Sequence, residues 1–392
     1  MKKNIYIINQ SYGDSREHLK EELGQSLKNT YRVTIVAGRN GNKLLKKHEH
    51  SNGVEIYRIS NSKMKRTTLG RLKSYVSFII GAFWRMLRIR VNSIVIVTTQ
   101  PPFVAYLVTL FKRMKRLKIV YNVQDLYPDV LVALGKKDPK SISMKLVRSI
   151  QIKTLANSDR IVVIGKSMKN RIINEYKVGT DRVSVIENWG MGRLEDTATV
   201  KRNASSRIRV LYTGNLGETH EIDTLLGAMR IILDTNTDDS FCFRFVGLGS
   251  NFARLKRICA EERLTFAEFS DPVSEEDLVN EYMNSDISLV ISSKAIEGIL
   301  VPSKFYTAVL FNPVVFIGSI TDAPAQHIIN GSFGYVLDNG DSKGLVNILE
   351  KLRSDKGQLE SMRMKARSYY YENLRSSIRI AQWKELIDEL VS

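Results

Sequence analysis

The chain has 392 residues, of which 43% are hydrophobic and 26% are charged, as in an ordinary globular protein. Its 24 glycines and 8 prolines argue against a collagen-like chain, and its two cysteines argue against a disulfide scaffold or a cysteine zinc site and fit a reducing cytoplasm. Lysine and arginine number 59 against 41 for aspartate and glutamate, and this net charge of +18 favours an anionic partner such as nucleic acid, lipid headgroups or a diphosphate.

Short β-branched runs alternate with longer helical patterns along the first half of the chain. Strands are predicted at Ile5–Ile8, Val33–Ala37, Val54–Ile59, Ser93–Thr98, Lys118–Val123, Arg160–Ile164 and Val183–Ile186. Helices are predicted between them at about 16–28, 70–90, 101–116, 141–157 and 166–176. Such alternation indicates βαβ units and a mostly parallel sheet with helices on both faces.

The same alternation restarts after 191–207, a polar stretch without periodicity that we interpret as a linker. Strands are predicted at Ile208–Tyr212, Phe241–Val246, Leu264–Phe269, Ile287–Ile291, Val314–Ile317 and Tyr335–Leu337. Helices are predicted at about 220–233, 250–262, 275–283, 302–311, 342–354 and 356–371, with a final amphipathic helix at 375–390. We therefore expect an α/β enzyme of two Rossmann-like domains whose parallel sheets face a central, ligand-binding cleft.

The positive charge is concentrated in one part of the first half. Between Ile56 and Gln124 the chain has 14 basic residues and no acidic one. This stretch also holds the longest nearly apolar runs, Tyr75–Trp84 and Pro101–Phe111, which are well short of the ~20 residues that a membrane-spanning helix needs. We expect a soluble or surface-bound protein that does not cross a membrane, with these apolar and basic stretches docking on an anionic leaflet. The alternative is that they are core-packing helices with a solvated basic face.

Two strands of the second half end in glycine turns. Gly214, Asn215 and Gly217 follow the strand at Ile208–Tyr212, and Gly247 and Gly249 follow the next strand. Glycine at such a turn lets the backbone approach a phosphate, and the helix after it supplies N–H donors. Glycine can equally serve the turn for steric reasons alone, so both interpretations stay open.

A sharper motif runs from Glu297 to Lys304. Pro302 and Ser303 are typical of a helix start, so Lys304 should project from the amino end of a helix, where a diphosphate is favoured. Glu297, in the loop before it, could accept hydrogen bonds from sugar hydroxyls. The alternatives are a solvated helix lysine and an ordinary helix-terminal glutamate.

In the first half, Gln124 and Asp125 follow a predicted strand and precede Leu126, Tyr127 and Pro128. A carboxylate at the carboxyl end of a strand is a candidate for acceptor binding or acid–base work. The alternative is an aspartate that only caps the next helix.

Together these stretches resemble glycosyltransferase family 4, the retaining GT-B enzymes, and in particular the O-antigen and capsule branch that includes the N-acetyl-fucosamine transferases. The matching stretches, in family order, are Val123–Pro128, Glu187–Trp189, Tyr212–Gly217, Phe245–Gly249 and Val301–Tyr306. The first and last are the specific ones.

The resemblance implies an acceptor and membrane-facing domain at 1–190, a linker at 191–207, a nucleotide-sugar donor domain at 208–371 and a helix at 372–392 that crosses back to the first domain. It implies transfer of a sugar, with N-acetyl-L-fucosamine as the branch-level expectation, from a UDP-sugar to a polyprenyl-diphosphate-linked sugar. Anomeric configuration would be retained without an obligatory metal or other cofactor, in O-antigen, capsule or lipopolysaccharide synthesis at the inner face of the cell membrane.

The motifs and the resemblance together assign the site residues. Those expected to carry catalysis are Asp125, Glu297 and Lys304. Those expected to bind the donor are Gly214, Asn215, Gly217, Gly247, Gly249, Glu297, Pro302, Ser303 and Lys304. Those expected to bind the acceptor are Gly13, Gln124 and Asp125, and those expected to contact the membrane are Phe83, Trp84, Arg85 and Arg88.

Three positions depart from the family pattern. The second glutamate of the family's Glu-x7-Glu motif is Phe305 here, the arginine often found after the first glycine turn is replaced by Glu218, and Gln124 stands where a histidine is common. Two other functions stay open: a UDP-sugar epimerase of GT-B shape, which would need histidines and carboxylates around the donor, and a basic nucleic-acid-binding protein.

Overall fold

The computed structural model describes residues 2–12, 18–63, 67–199 and 207–391. They form two compact units, Met1–Glu187 together with Arg379–Ser392, and Asn188–Ile378. Each unit is an α/β structure built on its own, mostly parallel sheet. The α/β class with two parallel sheets is therefore confirmed.

The first unit contains the strands β1 Asn4–Ile8, β2 Arg32–Gly38, β3 His48–Ser51, β4 Val54–Ile59, β5 Ile94–Thr98, β6 Lys118–Val123, β7 Arg160–Val163 and β8 Val183–Val185. Their spatial order is β3-β4-β2-β1-β5-β6-β7-β8. Only the β3–β4 pair is antiparallel among the described strands. Apart from the end strands β3 and β8, this is the 3-2-1-4-5-6 order of a Rossmann sheet, in which the order of strands along the chain reverses between β1 and β5.

The helices of this unit are α1 His18–Leu27, α2 Thr68–Arg88, α3 Val104–Leu110, α4 Lys112–Lys115, α5 Asp129–Ala133, α6 Ile142–Asn157 and α7 Lys166–Tyr176. The Thr67 side chain caps α2 by accepting a hydrogen bond from the Gly70 amide. One stripe of α2, at four-residue spacing, is buried: Ser74, Phe78, Ala82 and Met86. This spacing places the four on one side of the helix.

The second unit contains the strands β9 Ile208–Asn215, β10 Phe241–Leu248, β11 Ala267–Ser270, β12 Ile287–Ile291, β13 Val314–Ile317 and β14 Gly334–Leu337. They pair in parallel in the order β11-β10-β9-β12-β13-β14, which is the 3-2-1-4-5-6 order of a Rossmann sheet. The order reverses between β9 and β12, so a ligand is expected at the carboxyl ends of these two strands.

Helices cover both faces of this second sheet. They are α8 Asp223–Asp234, α9 Ser250–Glu261, α10 Glu275–Met283, α11 Lys304–Phe311, α12 Ala323–Gly331, α13 Ser342–Ser354 and α14 Lys356–Tyr369. Successive residues of β9 enter different cores, Val210 and Tyr212 on one face and Leu211 on the other. This alternation follows from the two-residue period of a strand and explains why β9 is apolar on both sides.

The last helix, α15 Ser376–Val391, places most of its length in the first unit. There Trp383, Leu386 and Ile387 are buried, and Arg379 donates to Glu187 at 2.8 Å. Part of the stretch expected to be a linker, Gly192–Thr199, is instead a 3-10 helix of the second unit. It is held there by Leu194, which is buried in the core of that unit.

Several elements differ from their sequence predictions. The β3 strand was missed because His48–Ser51 is polar, as an edge strand that ends a sheet can be. The helix predicted at 101–116 is divided at Phe111 into α3 and α4, and β11 begins three residues later than predicted. The short helix α5 and the helix α12 were also missed.

Candidate functional site

The carboxyl ends of β9 and β12 bring together the two motifs of the second half. Gly214 and Asn215 are the last residues of β9 and, with Gly217 after them, form what we call the β9 turn. The loop after β12 leads through Glu297 to α11. A backbone hydrogen bond from Ser293 to the carbonyl of Thr219 joins these two loops. Both motifs therefore lie at the point of the sheet where a Rossmann fold binds its ligand.

Lys304 is the first residue of α11, as predicted, and its side chain crosses to the β9 turn. Its Nζ donates to the Asn215 carbonyl oxygen at 2.8 Å and to the Tyr212 hydroxyl at 2.7 Å, and it lies 4.6 Å from the centre of the Tyr212 ring. An ammonium group has three donors, so one remains for a ligand. Burial lowers the pKa of Lys304 to about 7.

Gly214 makes room for this lysine. Its φ of +96° is a conformation that suits glycine, and a Cβ at this position would lie 2.6 Å from Lys304 Cε. Any side chain at position 214 would therefore displace the lysine stem. The sequence predicted that Gly214 and Lys304 belong to one site, and the structure places them in contact.

The second glycine turn packs against the first one. A Cβ at Gly247 would lie 1.9 Å from the Gly214 carbonyl oxygen, and a Cβ at Gly249 would lie 2.2 Å from that of Leu216. The Leu216 amide also donates to the Leu248 carbonyl at 2.7 Å. This contact gives Gly247 and Gly249 a steric role, which is to let the β10 turn support the β9 turn.

Two further residues beside Lys304 were not predicted. The His220 ring lies edge-on to the Tyr212 ring, with centroids 6.2 Å apart, and its Nδ1 lies 3.3 Å from the Gly217 carbonyl. Burial, together with the nearby charge of Lys304, lowers the pKa of His220 to about 3, and burial raises that of Tyr212 well above 10. Both groups are therefore neutral around pH 7, whereas Lys304 titrates near it.

Glu297 lies in the loop between β12 and α11 and is only partly exposed. Its Oε1 accepts a hydrogen bond from the hydroxyl of Thr321, which lies in the loop after β13. The loops that follow two neighbouring strands are thereby joined at the carboxyl edge of the sheet. Asp322, the next residue, is a buried carboxyl group whose pKa is raised to about 7 by burial and by the charge of Glu297.

The sequence could not have shown Tyr212, His220, Thr321 or Asp322 as site residues, because their position depends on which loops meet. Tyr212 had one indirect signal, since it precedes a glycine turn by two residues. Asp322 had another, since Asp-Ala-Pro is typical of a helix start, but the helix α12 was itself missed.

The other residues in and beside the Glu297–Lys304 motif differ in how far they are buried. Pro302 is buried, Ser303 is exposed, and Ser303 makes no side-chain cap bond to the described part of α11. Phe305, at the position of the family's second glutamate, is fully buried and packs against Tyr306 and Phe333. It is a core residue and offers nothing to a ribose. Glu218 is exposed at the end of the β9 turn.

In the first unit, Gln124 and Asp125 follow β6 as predicted. Gln124 Nε2 donates to Asn122 Oδ1 at 2.9 Å, and the Asp125 amide donates to Thr99 Oγ1, which follows the neighbouring strand β5. Burial raises the pKa of Asp125. Gly13, the third residue expected to bind an acceptor, lies outside the described residues.

The outer, exposed face of α2 is apolar, like its buried face. Its exposed apolar residues recur at three- and four-residue spacing, and they are Leu69, Leu72, Val76, Ile80, Phe83 and Leu87. Trp84, beside this stripe, is 57% exposed, and Arg88 is exposed too. The sequence predicts that Arg85 faces lipid, but its guanidinium lies 4.2 Å from the centre of the Tyr57 ring.

None of the helices in the described segments has both the length and the hydropathy that a membrane span requires. The described residues also contain no cluster of three or more histidine, cysteine, aspartate or glutamate side chains arranged to hold a metal ion. A reaction independent of metal stays a prediction.

Comparisons with known proteins agree with this arrangement. A family model for a glycosyl transferase 4-like domain matches residues 20–189, and a model for glycosyl transferases group 1 matches residues 195–369. Two relatives are each about a quarter identical to the chain over the residues that align. WbjE of Pseudomonas aeruginosa, described as a probable glycosyltransferase, is 24% identical over 68% of this chain and 67% of its own length. WcaI of Escherichia coli K12, described as a colanic acid biosynthesis glycosyl transferase, is 25% identical over 61% of this chain and 60% of its own length.

Solved structures show the same fold. Sucrose-phosphate synthase from Thermosynechococcus elongatus has a TM-score of 0.73 at 14% identity and covers 100% of this chain and 99% of its own. Anabaena Alr3699/HepE in complex with UDP-glucose has a TM-score of 0.70 at 12% identity and covers 98% and 99%. WaaG, a glycosyltransferase involved in lipopolysaccharide biosynthesis, has a TM-score of 0.65 at 13% identity and covers 95% and 96%.

These likenesses show the GT-B fold that the sequence predicted. The 4-like model matches most of the first unit, and the group 1 model matches nearly all of the second unit. The chain belongs to the group 1, or family 4, glycosyltransferases.

Proposed function

We propose that this glycosyltransferase moves a sugar from a UDP-sugar to a sugar on a polyprenyl diphosphate, with retention of anomeric configuration, during synthesis of a cell-surface polysaccharide such as O-antigen or capsule. The second unit would bind the donor, and the first unit would bind the acceptor. N-acetyl-L-fucosamine is the proposed donor sugar, because the matching motifs resemble that branch of the family most closely. Three similar proteins support this function. WbjE and WcaI are described as glycosyltransferases, and WaaG is described as a glycosyltransferase involved in lipopolysaccharide biosynthesis.

The observation that carries the proposal is the position of Lys304. Its ammonium group lies at the amino end of α11 and against the turn after β9, 2.8 Å from the Asn215 carbonyl. A helix amino end favours anions, and a lysine there is a common partner of phosphate. HepE was solved with UDP-glucose, so a UDP-sugar fits this fold.

Sugar transfer requires positive charge next to the leaving group, which is UDP. When the bond between the sugar and UDP breaks, negative charge develops on the diphosphate, and a fixed cation with backbone N–H donors stabilises it. In this proposal Lys304 supplies the cation, and the β9 turn, held open by Gly214, supplies donors. Glu297 accepts hydrogen bonds from the hydroxyls of the transferred sugar.

The acceptor side is proposed from the first unit. Asp125 and Gln124 lie after β6 at the carboxyl edge of that sheet, and Asp125 would contact the acceptor hydroxyl that attacks. The exposed stripe of α2, with Trp84 and Arg88 beside it, suits the interface of an anionic leaflet, because apolar side chains enter the headgroup zone and cations pair with lipid phosphates. A lipid-linked acceptor would be presented there.

The two other functions considered from the sequence receive less support. An epimerase would need histidines and carboxylates that move protons at the donor. Glu297 and Asp322 are carboxyl groups at that edge, but burial and the charge of Lys304 lower the pKa of His220 to about 3, so this histidine stays neutral near pH 7. Nucleic-acid binding would favour aromatic residues on a stacking surface among the cations. The aromatic residues Phe83 and Trp84 lie instead on a helix with an apolar outer face.

A screen of nucleotide-sugars for thermal stabilisation, followed by transfer assays on a polyprenyl-diphosphate sugar, tests the proposal. We expect UDP and a UDP-sugar to stabilise the protein and the sugar to appear on the lipid acceptor. Conversion of the UDP-sugar to its epimer without any acceptor would favour the epimerase. Absence of stabilisation by every uridine nucleotide would contradict the donor assignment.

A further inference from the structure

Asp322 occupies the cap position in front of α12 without capping it. Its backbone is extended, with φ −68° and ψ 150°, and its carbonyl accepts the first helical hydrogen bond, from the Gln326 amide. Its carboxyl group makes no cap bond. One reason is local, because Pro324 in the first turn has no N–H to offer.

The caps of two other helices in the same unit show what is missing. The Asp341 carboxylate accepts from the Gly344 amide at 2.9 Å, and the Asp355 carboxylate accepts from the Gln358 amide at 2.7 Å. At Asp322, both carboxyl oxygens lack a hydrogen-bond partner among the described residues, although the residue is only 1% exposed.

A buried carboxyl group without partners destabilises a fold. Capping of α12 would explain a buried carboxyl group at this position, but the Asp322 side chain makes no capping bond. Its contribution to α12 therefore does not offset the free-energy cost of burying it. A buried polar group without a protein partner calls for an explanation, and a bound ligand, a water molecule or an ion would each supply the missing hydrogen bonds.

The surroundings of Asp322 indicate which ligand. Its neighbour Thr321 donates to Glu297, and the Glu297 charge contributes to the raised pKa of Asp322, so the two acids lie close together. Both follow adjacent strands at the carboxyl edge where the donor is proposed to bind. Two acids repel phosphate, whereas carboxylates accept hydrogen bonds from hydroxyl and amide N–H groups.

We propose that Asp322, together with Glu297 and Thr321, forms an acidic subsite for the hydroxyl or amide N–H groups of the donor's sugar, and that Asp322 is a specificity-determining residue. This inference rests on the proposed function, because it needs a sugar donor on the second unit. In it, Lys304 binds the diphosphate that all UDP-sugars share, and Asp322 distinguishes one sugar from another.

The test is the exchange Asp322→Asn, which keeps the size of the side chain and removes its charge. Affinities of wild type and variant are measured by calorimetry for UDP and for UDP-glucose, UDP-galactose, UDP-N-acetylglucosamine and UDP-N-acetyl-L-fucosamine. These donors share the UDP group, so differences among them report on the sugar subsite. We expect a spread of about tenfold or more in wild type and about twofold in the variant, with UDP affinity unchanged.

Asp129→Asn is the matched control. Asp129 is also buried, at 6% exposure, but its carboxylate has partners, Arg171 at 3.2 Å and the hydroxyl of Tyr176. We expect this control to melt at a lower temperature and to keep the wild-type spread of affinities. Asp322→Asn should melt no lower than wild type, because the carboxylate that it removes makes no bond to the described residues.

The outcomes distinguish failure of the Asp322 subsite from failure of the proposed glycosyltransferase function. If wild type binds neither UDP nor any of the four donors, the proposed function fails and the inference fails with it. If wild type binds UDP and Asp322→Asn keeps the full spread, or if wild type shows no spread, the inference alone is overturned. Sugar binding that depends on added Mg²⁺ in wild type and loses this dependence in the variant would also overturn it, because the acids would then hold a cation.

Discussion

Lys304 gives the donor site a pH dependence that can be calculated. In the free protein, burial lowers the pKa of this lysine from 10.5 to about 7, so about half of the molecules carry the charge at pH 7 and about one in a hundred at pH 9. A bound diphosphate favours the charged form, which raises the pKa in the complex. Binding of UDP must therefore take up a proton, and its affinity must fall as the pH rises.

The size of the effect follows from the same value. If the pKa in the complex exceeds 9, UDP affinity falls up to about 50-fold between pH 7 and pH 9, or about 2.3 kcal/mol. The protons taken up per UDP rise from about 0.5 at pH 7 to about 0.9 at pH 8. The terminal phosphate of UDP, with a pKa of about 6, is already ionised over this range. His220 and Tyr212 do not titrate there, since their pKa values are shifted out of this range. Asp322, with a pKa of about 7, does titrate there, so the same measurement is repeated with Asp322→Asn, which removes that group.

Isothermal titration calorimetry at constant ionic strength, in two buffers with different ionisation enthalpies, measures both quantities. Lys304→Arg is the matched control, because arginine stays charged and should bind UDP with an affinity that changes little from pH 7 to pH 9. A wild-type affinity that is flat over this range, without proton uptake, would refute the assignment of Lys304 to the diphosphate.

Three other predictions concern Glu297, the packing of the two glycine turns and the outer face of α2. Glu297→Ala should lower turnover about tenfold or more at an unchanged melting temperature, in a transfer assay with saturating donor, and an unchanged rate would remove Glu297 from the site. Gly247→Ala, whose Cβ would lie 1.9 Å from a backbone oxygen, should lose about 2–4 kcal/mol in urea unfolding, whereas Gly135→Ala, whose Cβ meets nothing within 4 Å, should lose less; equal losses would contradict the packing of the two turns. The double exchange Trp84→Ala and Arg88→Glu should reduce co-sedimentation with vesicles rich in anionic lipid, and equal sedimentation of variant and parent would end the membrane proposal.

Much of the second unit could be predicted because its signals are local. A β-branched run that ends in glycine marks both a strand and its turn, and Pro302 with Ser303 marks the start of α11. The order of such elements along the chain predicts parallel sheets. The contact between Lys304 and the β9 turn then follows, because the carboxyl ends of neighbouring parallel strands lie at one edge.

What the sequence could not provide depends on contacts between distant segments. Nothing near Arg85 in the chain shows that Tyr57 lies beneath it, so its guanidinium was expected to face lipid. Phe305 could be seen to lack a carboxylate but not to belong to the core. Asp322 looks like a helix cap in sequence, and only the structure shows that its carboxyl group caps nothing.

The most direct measurement is a crystal structure of the protein with UDP. If Lys304 binds the donor, diphosphate oxygens should lie about 3 Å from Lys304 Nζ, beside the β9 turn, with the lysine still supported by Tyr212. A diphosphate bound away from α11, with Lys304 engaged only by Asn215 and Tyr212 as in the free protein, would contradict this assignment.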